Sequence, residues 1–136
     1  MKTTVSKVYS AWKALDTAKT TSLDTAERQA VVKIWYSLSE IAKRYGELVD
    51  KTVKELKPIN WDELASKTQF THEELADFRK KKADYEAAIE GVLKPESEKE
   101  VEVEITKLSL DTALKLLKEN DWPISKLGEL SIVVDR

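Results

Sequence analysis

Glu96-Ser97-Glu98-Lys99-Glu100-Val101-Glu102-Val103-Glu104-Ile105 places a glutamate at every second position, and the residues between them turn apolar toward the C-terminal end. Side chains alternate faces along a strand. The stretch therefore reads as a strand with one acidic face and one increasingly apolar face. No other segment reads as clearly as β, and the remainder reads as amphipathic helix. This stretch makes the chain α+β, with helices dominant.

Upstream of it, Thr71-His72-Glu73-Glu74 has the form of a capping box, a hydroxyl followed three residues later by a glutamate. It opens a predicted helix to about Val92, with Leu75, Phe78, Tyr85, Ala88, Ile89 and Val92 on one side. Gly91 and Pro95 are expected to end it. Asn60-Trp61-Asp62-Glu63 is a similar pattern and predicts a short helix to about Ser66. The longest helix is expected over Thr25 to Lys57, with Val31, Ile34, Trp35, Leu38, Ile41, Tyr45, Leu48, Val53 and Leu56 in its apolar stripe. Either Ser22 or Asp24 caps it, and Asp24 with Glu27 again resembles a capping box. Gly46 interrupts it at about 1 kcal/mol relative to Ala, a cost explained if a neighbouring backbone approaches there. Pro58 stops it, because the residue before proline avoids helical geometry. The two long helices, joined by a compact segment, predict an antiparallel helical hairpin. A stripe of this repeat serves an intrachain hairpin and an intermolecular coil equally well. Val5, Val8, Tyr9, Trp12 and Leu15 predict a first helix capped by Thr3 or Thr4.

Downstream, Ser109-Leu110-Asp111-Thr112-Ala113 repeats the pentapeptide of Ser22 to Ala26 at another helix start, with Leu110, Leu114 and Leu117 expected to face the core. Asn120-Asp121-Trp122-Pro123 closes that helix, and Ser125 caps one more turn. Ser131 to Val134 is β-branched and is expected either to pair with Val101 to Ile105 or to continue as helix. The prediction is thus one domain over residues 1–136: a helical part (1–95) and a strand–helix–strand part (96–136) with a small two-stranded β element.

The composition narrows the function. The 136 residues carry 25 acids against 23 bases, a net charge of −2, and no cysteine. A basic excess of the kind generic nucleic-acid binding uses is missing, and disulfides and thiolate zinc sites are excluded. The first residues lack the apolar run of a secretory signal, and no stretch approaches the ~20 apolar residues of a membrane span. His72, the only histidine, has no nucleophile at readable spacing and reads as an exposed first-turn residue. Arg79-Lys80-Lys81-Lys82 covers all sides of a helix and makes no single patch. No phosphate loop or paired metal motif is present, so no catalytic residue, cofactor or metal is expected.

The candidate partner-binding residues are Glu96, Glu98, Glu100, Glu102 and Glu104, with Trp61 and Trp122 in connections near prolines. The glutamates form either a docking face for a basic partner or a charged edge that prevents sheet-to-sheet aggregation, the preferred alternative. The two tryptophans are either interface anchors or lids over the ends of the helices, and lids are preferred. Trp12 and Trp35 lie on core stripes.

The order of segments carries one resemblance. VYSAWKAL (8–15), then ERQAVVKIWYSLSEIAKRYGELVDKTVKELKP (27–58), a second helix, EKEVEVEITKLS (98–109), a short helix and an apolar tail resemble small uncharacterised proteins of tailed phages and prophages, especially of gut bacteria. The likeness lies in layout and composition. It implies a non-enzymatic virion, assembly or accessory component, in a bacterial host cytoplasm or a virion, acting through a protein partner or self-association. A nucleic-acid-associated regulator using the C-terminal helix pair and Arg79 to Lys82 is the alternative.

Overall fold

The computed structural model describes residues 1–135. The elements run β1 (Lys2–Thr4), α1 (Val5–Asp16), α2 (Thr25–Leu56), α3 (Trp61–Ser66), α4 (His72–Ser97), β2 (Glu100–Glu102), α5 (Leu110–Glu119) and α6 (Lys126–Glu129). The protein is mostly helical with one two-stranded sheet, as the α+β expectation holds. It divides into two compact units, one of Met1–Gly46 with the chain from Ser97 onward, the other of Glu47–Glu96.

In the first unit, local capping chemistry starts each helix. Thr4 caps α1, accepting from the Lys7 N–H at 3.4 Å. Asp24, not Ser22, caps α2: the Glu27 N–H donates to Asp24 Oδ1 at 2.7 Å, and the Asp24 N–H donates to Glu27 Oε1 at 3.1 Å. This is a reciprocal capping box. The second SLDTA copy is used in a different register, since Ser109 caps α5 through the Thr112 N–H at 3.2 Å. α5 ends in a Schellman motif: Asp121 is left-handed (φ 53°), and the Trp122 N–H donates to Leu117 O at 3.0 Å.

The core joins Val8, Ala11 and Leu15 of α1, Ile34 and Leu38 of α2, Ala113 and Leu116 of α5, and Leu130, Ile132, Val133 and Val134. Indoles fasten α1 to α2. Trp12 stacks on Trp35 and donates to Ser39 Oγ at 3.0 Å, while Trp35 donates to Asp16 Oδ1 at 3.0 Å. Gly46 meets no backbone. Its nearest neighbour is the Tyr9 ring, whose Cε2 would lie 3.5 Å from an added Cβ, an ordinary contact. Gly46→Ala is therefore expected to raise stability by about 1 kcal/mol, read as a melting temperature about 3–4 °C higher.

Several expectations are corrected. The strand covers only Glu100–Glu102, and Glu96 belongs to the last turn of α4. Gly91 and Pro95 do not stop α4. The helix runs only two residues past Pro95, so the proline sits in its last turn, where the loss of one intrahelical bond costs least. The partner of β2 is not the C-terminal tail but β1, antiparallel, with Lys2 opposite Glu102, Thr3 opposite Val101 and Thr4 opposite Glu100. The tail is neither strand nor helix: it is a turn whose Val134 makes one parallel bridge to Leu108. On α5, Leu117 is buried, but Leu110 and Leu114 are each 44% exposed and Thr112, Ala113 and Leu116 point inward instead. The Ser109 cap sets that phase.

In the second unit, Asn60 gives α3 no side-chain cap. It adopts the left-handed region (φ 63°) that asparagine tolerates. Thr71 and Glu74 form the expected capping box at the start of α4, the Glu74 N–H donating to Thr71 Oγ1 at 3.2 Å. Trp61 stacks on Phe78 (5.4 Å) and meets Tyr85 edge-on, and the Tyr85 hydroxyl donates to Val53 O at 2.8 Å. The layout is consistent with a helical hairpin. Among its described residues only Thr52 is buried, and α3 and α4 bury none of their apolar side chains fully.

Candidate functional site

On α2, most apolar residues belong to the buried stripe. Val32 and Tyr36 do not: one turn apart, they are 60% and 76% exposed. They line a groove of about 730 Å³ whose other wall is Glu104, Ile105 and Thr106, with Lys33 and Gln29 at the helix side. Burying such side chains is worth roughly 1.5–3 kcal/mol each, so an exposed pair facing a concavity is a place where another surface gains by docking.

The backbone of the groove's far wall is open. The Val103 N–H donates to Met1 O at 2.9 Å, and the Val5 N–H donates to Lys99 O at 3.0 Å. In an antiparallel ladder, alternate residues direct both main-chain groups to the same neighbour. Residues 99, 101 and 103 therefore face β1. Glu100 and Glu102, and the N–H of Glu104, direct theirs to the opposite edge. Among the described residues, no backbone hydrogen bond pairs that edge: the sheet has only two strands, and residues 104–107 make no backbone bond until Leu108 meets Val133.

The side chains follow the same alternation. Glu100, Glu102 and Glu104 are exposed, while Val101 and Ile105 are half-buried and Val103 is buried. Three of the five predicted glutamates thus share one face of β2 and its continuation. Glu102 also accepts from the Met1 amino group at 2.6 Å. Glu98 lies in the turn before the strand, and Glu96 belongs to the last turn of α4. The tryptophans are not brought to the groove. Trp61 is half-buried within its aromatic cluster, and Trp122 packs at the margin of the core with Lys126 over its ring at 5.3 Å. His72 and Arg79 to Lys82 are exposed on α4, and Lys81 pairs with Asp77 at 3.2 Å.

A polar cluster holds α5 to the start of α2. Glu27 accepts from Thr112 Oγ1 at 2.7 Å and from Lys115 Nζ at 2.9 and 3.2 Å, besides capping its own helix. The Lys115 ammonium first, then the Thr112 hydroxyl, holds the Glu27 carboxyl down to about 2 from an ordinary 4.5. Glu119 is lowered as well, chiefly by the Thr21 hydroxyl, and it also accepts from the Ser22 N–H at 3.1 Å. Next to it, Asn120 clasps the Lys19 backbone, accepting from its N–H at 2.7 Å and donating to its carbonyl at 3.0 Å. These carboxylates serve structure: each is saturated with local donors, and neither opens into the groove. Among the described residues, no three His, Asp or Glu side chains gather as metal ligands, and no helix is long and apolar enough to cross a membrane.

Of the residues expected from sequence, Glu104 lines the groove, while its helix wall with Val32 and Tyr36 lies outside them. Its signal was present, however: Val32 and Tyr36 are apolar, one turn apart, and off the core stripe. Comparison with protein-family models, with curated proteins and with solved structures finds no match for this chain.

Proposed function

We propose that this chain is a non-enzymatic protein-interaction component that docks a protein partner in the groove between α2 and residues 104–106. The observation that carries this is the exposed pair Val32 and Tyr36 facing that groove. Exposed aromatics at a concavity are the residues that most often dominate binding energy. The acidic face of Glu100, Glu102 and Glu104 adjoins it and selects the partner's charge. The antiparallel hairpin of α2 and α4 then acts as a scaffold element. The setting we infer is the one the resemblance implies, a small tailed-phage or prophage accessory or assembly part.

The test is a capture experiment from host lysate with a Val32→Ser/Tyr36→Ala variant beside the parent. Because both side chains are exposed, stability should stay within about 0.5 kcal/mol of the parent. A captured partner should be lost or weakened at least tenfold, about 1.4 kcal/mol. Undiminished capture by a folded variant, or a turnover abolished by one side-chain change elsewhere, contradicts the proposal.

A further inference from the structure

The open edge of β2 and the apolar groove lie side by side, and the same alternation governs both. An extended chain laid along that edge would find main-chain groups at Glu100, Glu102 and Glu104. Four residue steps at about 3.3 Å make a run of roughly 13 Å, enough for a short strand. Strand addition of this kind takes its affinity from the main chain and its specificity from alternate side chains.

The flanking chemistry states what those side chains must be. Cross-strand neighbours share a face. One set would stand beside the carboxylates of Glu100, Glu102 and Glu104, all exposed. The other would lie beside Val101, Val103 and Ile105, and near the end of the edge it meets Val32 and Tyr36 in the groove. Basic residues suit the first set and β-branched or other apolar residues the second. A second copy of the same edge is disfavoured, because glutamates directly opposite glutamates repel. The charges that guard this edge against its own kind therefore also specify an opposite partner.

Resting on the interaction role proposed above, we infer that the free edge of β2 and the residues directly after it, Glu100 to Glu104, receive an extended segment of a partner protein in which basic and apolar residues alternate.

The probe is a synthetic peptide of about ten residues alternating lysine and valine, with the glutamate–valine counterpart as control. Amide exchange of the full chain is followed by NMR. With saturating lysine peptide, the amides of Glu100, Glu102 and Glu104 should slow at least tenfold, while that of Val103, already donated to Met1, stays unchanged. Glu104→Pro, which removes one edge donor, should weaken the peptide about tenfold or more. If that variant does not fold, Glu100→Lys/Glu104→Lys serves instead: it should reject the lysine peptide and accept the glutamate one. Binding without slowed edge amides, equal binding of both peptides, or no binding at millimolar peptide overturns strand addition. If Val32→Ser/Tyr36→Ala still abolishes capture from lysate in that case, the interaction role stands and only the mode fails.

Discussion

Replacing Leu116 with alanine should lower the free energy of unfolding by about 2–5 kcal/mol, the largest single effect expected in this chain. Leu116 is fully buried between α1, α2 and the tail residues of the core. Truncation there removes the transfer energy of the lost carbons and leaves a cavity that the rigid neighbours fill only partly. For a chain of this length, that is roughly 6–20 °C in melting temperature. The same truncation at Leu75 on α4 should cost only about 1 kcal/mol, since a half-exposed side chain leaves no enclosed void. Urea titrations of the two variants check the contrast. Equal losses would mean that residues 47–96 contain a packed interior, against the absence of any buried apolar side chain in α3 and α4.

Acid should destabilise the protein through Glu27, and Glu27→Gln should remove much of that dependence. A carboxyl held at about 2 against an ordinary 4.5 binds its proton less readily folded than unfolded. Its contribution is complete above the ordinary value. It is lost progressively as the pH falls from 4.5 toward 2, because the unfolded chain takes up the proton first. Glutamine cannot titrate, so the variant should be less stable near neutrality and its stability should fall less steeply across that window. The lowered Glu119 leaves a residual slope, which Glu27→Gln/Glu119→Gln should flatten further. Lys115 carries the opposite sign at the other end of the scale. Its pKa is raised above 10.5, mainly by Glu27, so its contribution is present below that value and fades as pH rises through the raised one. Denaturant midpoints between pH 2 and pH 7 give the profile. An unchanged acid slope in Glu27→Gln would sink this assignment.

What was legible in the sequence was what local chemistry decides. The pairs Asp24–Glu27 and Thr71–Glu74, and Ser109 with its N3 amide, start helices where expected because each cap is completed within three residues. The face of β2 was also readable, since alternation needs no partner. Pairing was not. β1 is three residues, Lys-Thr-Thr, too short for a pattern, and about a hundred residues separate it from β2. The β-branched tail looked like the better partner, yet its side chains are spent in the core and it gives only one bridge. Pro95 misled because it falls in the last turn of α4, where a proline shortens a helix by little. Leu110 and Leu114 misled because the inward face of α5 begins with Thr112, a polar residue buried to reach Glu27. The candidate site inherits these limits: its acidic face could be read, but its groove needs α2 and the chain after β2 to meet.

The central claim is that the edge of β2 away from β1 is open. Amide exchange on the chain without any partner tests it directly. The amide of Val103, and by alternation that of Val101, should be protected through β1, while those of Glu100, Glu102 and Glu104 exchange close to the rate of an unstructured peptide. That two-residue alternation is the predicted result. Uniformly slow exchange across residues 100–104 would contradict it, because the edge would then be covered already and could not be the place where a partner strand joins.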